Sequence, residues 1–262
     1  MRITASVNYH VKCDFPQAFL FEAEGIEGNL ESPELNSVKV NVYDIRDSNH
    51  NVHFNEDGIV FVHAPSATTD FCGGDGWTES YNREVEALLK KEIGAQEVLV
   101  FDHTVRVDDH NAVRKPARNV HNDYSTDGAN QRLIDLVGAN QAAEYQQGHF
   151  AFVNVWRPVE HIITTSPLGF VRPSSIQPDD WMLIELIYPH RKGQILGVAA
   201  SDQHEWFYQS DMTPDEAIIF NIYDNQGRPH LAHSALDVID TPLSTVPRKS
   251  IETRTLVSFD HK

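Results

Sequence analysis

The run Val38-Lys39-Val40-Asn41-Val42 alternates apolar and polar side chains, so an extended chain there turns three valines to one face. Tyr43 and Ile45 fall on the otherwise polar side, which makes this a half-buried strand with an irregular end. RITASVNYHV and GIVFVHAPS read as further short extended pieces, while the intervening GIEGNLESPELNS reads as turn or loop. The period then changes. In SYNREVEALLKKEIG, Val85, Leu88, Leu89 and Ile93 form one apolar stripe and Gly94 stops the helix. EVLVFDHTVRV predicts an apolar strand, and residues 130–146 predict a second helix with Leu133, Leu136 and Val137 inward. From Phe150 onward the runs FAFVNVW, WMLIELIYP, GQILGVAA, EWFYQS, EAIIFNIYD, HLAHSAL and SIETRTLVSF are all β-prone and joined by short turns. No helical period alternates with them, so a parallel α/β sheet is excluded in favour of a sandwich or barrel with flanking helices.

Composition removes some partners without naming one. The chain has 262 residues, 40% of them hydrophobic, which is enough for a sizeable core. A formal net charge of -17 disfavours nucleic acid and anionic membranes as partners. No window approaches the 18 or so apolar residues of a membrane span. Cys13 and Cys72 are far apart and outside any metal-binding spacing, so they predict free or buried thiols in a reducing compartment. A soluble, cytoplasmic protein is the expectation.

The candidate chemistry starts at His121-Asn122-Asp123. A His-x-Asp pair is common by chance in a chain with 14 histidines and 38 acidic residues, and such a pair can also simply cap a turn. A metal needs a third ligand from a distant strand. His149, His161, His190, His204, His230 and His233 are available. His230 and His233, three residues apart, would face opposite sides of a strand, and only His233 has small apolar neighbours. Two imidazoles and a carboxylate suit non-haem Fe(II), with positions left for a co-substrate and O2, but they also suit a zinc hydrolase. Further on, Arg248, Ser250, Glu252 and Arg254 share one side of a strand. A guanidinium two residues from a hydroxyl can clamp the far carboxylate of a dicarboxylic co-substrate such as 2-oxoglutarate.

These segments resemble the iron- and 2-oxoglutarate-dependent hydroxylase/desaturase family of secondary metabolism. That family includes a cephem methoxylase-associated protein and relatives acting on gibberellin-like, polyketide and meroterpenoid compounds. The likeness lies in FDHTVR (101–106), VHND (120–123), FVNVWRP (152–158), LIYPHRKG (186–193), residues 206–224, HSAL (233–236) and PRKSIETRTLV (247–257). It implies a double-stranded β-helix over 97–262 carrying an N-terminal extension, 1–96, within a single domain. It further implies iron on His121, Asp123 and His233, and 2-oxoglutarate held by Arg248 with Ser250 or by Arg254, with Asn154 nearby. Arg157, Arg118 and Trp206 are the expected substrate contacts, for a small terpenoid or polyketide-like molecule. A homodimer, or a heterodimer with a related chain, is compatible with this likeness. Two other classes share the residues: a metal-dependent cupin-like hydrolase or isomerase, and a non-catalytic partner subunit.

Overall fold

The computed structural model describes residues 2–23, 26–47, 51–71, 74, 76–239 and 246–260. In chain order the elements are β1 (Arg2–His10), β2 (Gln17–Ala23), β3 (Ile26–Glu31), β4 (Leu35–Asp44), α1 (Phe54–Asp57) and β5 (Ile59–His63). Then come α2 (Thr78–Ile93), β6 (Glu97–Val107), β7 (His121–Asn122), α3 (Thr126–Gln147), β8 (Phe150–Pro158) and β9 (Leu168–Val171). The chain continues through β10 (Trp181–Tyr188), β11 (Arg191–Val198), β12 (Trp206–Tyr208), β13 (Glu216–Asp224), β14 (His233–Ala235), β15 (Asp237–Val238) and β16 (Lys249–Ser258).

Among the described residues two sheets form, a five-stranded one in the order β5-β13-β8-β16-β6 and an eleven-stranded one in the order β15-β1-β4-β12-β9-β14-β7-β11-β10-β2-β3. They make the two layers of a jelly roll. Alternation along β8 explains what lies on each side of the smaller sheet. Phe152 and Trp156 enter the core between the sheets with Phe170, Phe207 and Phe220. Val153 and Val155 point the other way, against the stripe Tyr81, Val85, Leu89 and Ile93 of α2. The helix therefore seals the outer face, and Gly94 ends it in the left-handed region (φ 73°), where a residue without a Cβ is favoured.

The long sheet curls back on itself. β1 pairs with β4 along its whole length and also bridges to the other side through Asn8–Asn119 and His10–Ala199. The curl encloses a separate core of Ala5, Val7, Tyr9, Val42, Val120, Val198 and Trp206.

Two sequence expectations change here. The first 96 residues do not pack as an extension on a finished β-helix: β1 to β4 are hydrogen-bonded into the long sheet and β5 into the short one. The stretch expected as loop around 25–37 contains β3 and the start of β4, and β3 forms the sheet edge, paired with β2. Cys13 is a free thiol whose Sγ donates to the Phe15 carbonyl, whereas Cys72 lies outside the described residues.

Candidate metal centre

β7 and β14 are adjacent antiparallel strands, and their register sets His121 directly opposite His233. The two imidazoles are thus cross-strand neighbours, with ring centroids 4.5 Å apart. Both rings have their Nδ1 tied to a backbone carbonyl two residues earlier, His121 to Asn119 at 2.8 Å and His233 to Leu231 at 3.0 Å. A donor on Nδ1 makes Nε2 the unprotonated lone-pair atom in the neutral ring. Both Nε2 atoms face Asp123 Oδ1, at 3.4 Å and 3.8 Å. The three donors lie within 4.8 Å of one another.

The two oxygens of Asp123 are in different situations. Oδ2 accepts from Asn154 Nδ2 and from Arg254 Nε, each at 3.0 Å, while Oδ1 faces the imidazoles. Burial alone would raise the Asp123 pKa, but Arg254 and the two histidines hold it well below the usual carboxylate range. Capping a turn is not its task. Ser125 caps α3, its Oγ accepting from Gly128 N at 3.0 Å. A pre-oriented imidazole pair with one free carboxylate oxygen is a donor set that Fe(II) takes.

A small cavity opens beside these donors, lined by Arg106, Ala117, His121, Leu168, His233, Ala235, Arg248 and Glu252. The two arginines expected as rival carboxylate anchors differ sharply. Arg254 is surrounded by anions: besides Asp123 it reaches Asp102 at 2.7 Å and Glu252, with Thr104 Oγ1 at 3.2 Å. Arg248 is buried, donates from Nε and Nη2 to Ser250 Oγ (3.3 and 3.2 Å) and from Nη1 to the Ser166 carbonyl, and has no carboxylate partner among the described residues. Burial, and then the nearby Arg106, pushes its pKa down to about 9, so its charge is held at a cost that an incoming anion relieves. The FDHTVR strand supplies three of the groups around the site. Asp102, Thr104 and Arg106 alternate along β6; Arg106 is expected from the sequence at the rim of the barrel mouth, whereas Asp102 and Thr104 are not read there as part of the metal region.

The expected substrate contacts are not brought to this site. Arg157 sits on the α2 side of β8, donating to the Ala64 carbonyl at 2.9 Å, with its guanidinium 5.6 Å from the Tyr81 ring centroid. Trp206 is fully buried in the curl of the long sheet and donates to Tyr9 Oη at 2.8 Å. Arg118 is consumed by ion pairs to Asp108 and Asp237 at 3.0 and 2.7 Å. His230, the rival third ligand, precedes β14 and packs on Trp181, ring centroids 4.9 Å apart, away from the three donors. It lines a larger cavity of about 530 Å³ whose walls include Tyr124, Ile176, Trp181, Leu196 and Tyr223.

His10 was not singled out in the sequence, yet its ring fills the space beside Gly197, the partner of His121 in the β7–β11 pairing. Burial, then His121, pushes its pKa down to about 4. A histidine neutral when folded and free to protonate when unfolded contributes stability that is complete above its unfolded value and is lost as pH falls from about 6.5 toward 4. Metal-free protein is expected to lose about 2 kcal/mol through this group between pH 7 and pH 5. Urea unfolding at the two pH values checks this. His10→Gln removes that share of the slope, and an unchanged slope in the variant contradicts the assignment.

Comparison with known proteins agrees with this geometry. A family described as Oxidoreductase/YMDC permease-like domain matches residues 8–258. The alpha-ketoglutarate-dependent dioxygenase phiK of a fungal species is 30% identical over 258 residues, covering 91% of this chain and 90% of the relative. The hydroxylase/desaturase efuI of Hormonema carpetanum is 30% identical over 262 residues, covering 87% and 85%. In fold, the chain superposes on the iron and alpha-ketoglutarate-dependent endoperoxidase NvfI with a TM-score of 0.87 at 23% identity, covering 99% of both chains. The cross-strand imidazole pair, the half-free carboxylate and these relatives converge: the chain belongs to the Fe(II)/2-oxoglutarate-dependent dioxygenase family and is an oxidoreductase that uses both cofactors.

Proposed function

We propose that this dioxygenase oxidises a small natural product of terpenoid or polyketide type, with iron held by His121 Nε2, His233 Nε2 and Asp123 Oδ1. The observation carrying the residue assignment is the division of labour at Asp123, one oxygen occupied by Asn154 and Arg254 and the other facing the Nε2 atoms of the two imidazoles. Arg248, steered by Ser250, anchors the far carboxylate of 2-oxoglutarate, and Arg106 adds positive potential in the same cavity. Fe(II) with 2-oxoglutarate and O2 supplies a two-electron oxidation of the substrate, releasing succinate and CO2. The chain's own contribution is to orient the donors and to bury the co-substrate's charge against Arg248.

Small apolar molecules are the supported substrates. The larger cavity has the size of a small-molecule site, and its lining includes Trp181, Tyr223 and Tyr124, the residue after Asp123. Similar proteins carry the names hydroxylase/desaturase and endoperoxidase, so the same site supports more than one outcome. No helix among the described residues is long and apolar enough to cross a membrane, and the free Cys13 thiol supports a cytoplasmic enzyme. Incubation with a panel of terpenoid and polyketide compounds, Fe(II), 2-oxoglutarate and O2, read by product mass, tests the proposal. A product heavier by one oxygen means hydroxylation and one lighter by two hydrogens means desaturation. Turnover of a peptide or nucleotide, with every small natural product left intact, contradicts the substrate class.

A further inference from the structure

Arg254 lies near the metal donors yet is poorly placed to receive a ligand. Its Nε is spent on Asp123 Oδ2, its Nη1 on Asp102 and Thr104, and its Nη2 on Glu252. Three carboxylates already surround one guanidinium, so a fourth brought by a co-substrate would meet net repulsion and find little free donor capacity. The same bonds do something else. The β16–β8 register sets Arg254 opposite Asn154, and the β16–β6 register sets it opposite Asp102. Two neighbouring strands of the short sheet therefore converge on one oxygen of a carboxylate that belongs to the facing layer. Asn154 is fully buried and its Oδ1 has no partner, so the amide is oriented through its Nδ2 bond to Asp123.

We propose that Arg254, with Asn154, is a positioning residue for the metal: it occupies Asp123 Oδ2 and leaves Oδ1 alone to bind iron, so that the carboxylate coordinates through one oxygen. Asp102, Thr104 and Glu252 hold Arg254 in turn, which extends the support of one metal ligand across three strands. Without Arg254, like-charge repulsion from Glu252 and Asp102 turns the Asp123 carboxylate away from the imidazoles, and coordination suffers even though no ligand has been removed. This inference rests on Asp123 being an iron ligand, and Asp123→Ala, which must abolish metal binding, checks that reading separately.

The test uses the whole protein with Co(II) as a spectroscopic probe, followed by 2-oxoglutarate titration of the Co(II)-loaded protein. Arg254→Gln is expected to weaken Co(II) binding about ten- to a hundred-fold and to change the Co(II) visible spectrum, which reports the coordination sphere. At saturating Co(II), its 2-oxoglutarate affinity stays within about threefold of wild type, since a support residue acts on metal binding rather than on the carboxylate anchor. Asp102→Asn combined with Arg254→Gln keeps the local charge unchanged and serves if the single variant fails to fold. Asn154→Ala in the Arg254→Gln background should change Co(II) affinity by less than it does in wild type, because both groups act through the same oxygen. Unchanged Co(II) affinity and spectrum in a folded variant overturns the proposal. So does a large loss of 2-oxoglutarate affinity with the metal spectrum intact, which makes Arg254 the carboxylate anchor instead.

Discussion

Asp123→Ala is expected to bind no stoichiometric Fe(II) and to lose 2-oxoglutarate turnover to background, while unfolding cooperatively near the wild-type midpoint. The loss follows from ligand number. Two imidazole nitrogens remain, and a cation that prefers a mixed nitrogen and oxygen set then lacks its charged donor. The fold survives because Arg254 keeps Asp102 and Glu252 as partners, so no buried cation is stranded. His121→Ala and His233→Ala should behave alike, and His230→Ala should retain full iron because its ring packs on Trp181 instead. Iron stoichiometry after anaerobic loading and desalting decides the matter. Full iron in Asp123→Ala, or its loss in His230→Ala, would move the centre elsewhere.

The second large effect belongs to Arg248. Arg248→Ala is expected to raise the KM for 2-oxoglutarate by about 30-fold to several thousand-fold, the range given by losing one partner of a buried charge pair at about 2–5 kcal/mol. Iron binding should hardly move, since Arg248 bonds to Ser250 and the Ser166 carbonyl and not to any metal donor. Arg248→Lys recovers only part of the affinity, because an ammonium cannot reproduce the planar fork. The mirror-image pattern in Arg254 variants, metal affinity lost and co-substrate affinity kept, separates the two arginines. An Fe(II) titration reads the first and steady-state kinetics in 2-oxoglutarate at saturating Fe(II) reads the second.

The fold class was legible because β-prone runs and two helical stripes are local signals. His233 was legible from its small apolar neighbours Ala232 and Ala235; the strand alternation expected to part it from His230 does not operate, because β14 begins only at His233. What failed depended on neighbours that no local pattern encodes. All nine residues of β8 are buried, since one face meets the inter-sheet core and the other meets α2. With both faces covered, no hydrophobic alternation shows that Asn154 points to Asp123 and Arg157 to Tyr81. Trp206 was read as a pocket wall because a large aromatic fits one, but the curl of the long sheet had already taken it for a second core. β3 escaped notice because its Gly-, Asn- and Glu-rich sequence suits a sheet edge, where charged and turn-forming residues discourage further pairing. Arg248 and Arg254 lie on the same strand face, so parity could not choose between them. Ser250 beside Arg248 favoured that residue in the sequence, and the three carboxylates around Arg254 support the same preference.

The most direct test of the central claim is the weak visible absorption that forms when Fe(II) and 2-oxoglutarate bind together in the absence of O2. The wild-type protein should develop it at one equivalent of each and then yield succinate on exposure to air. Asp123→Ala should show none, and Arg248→Ala should reach it only at far higher 2-oxoglutarate. A wild-type protein that takes up Fe(II) but gives neither the band nor succinate at any 2-oxoglutarate concentration would contradict the account.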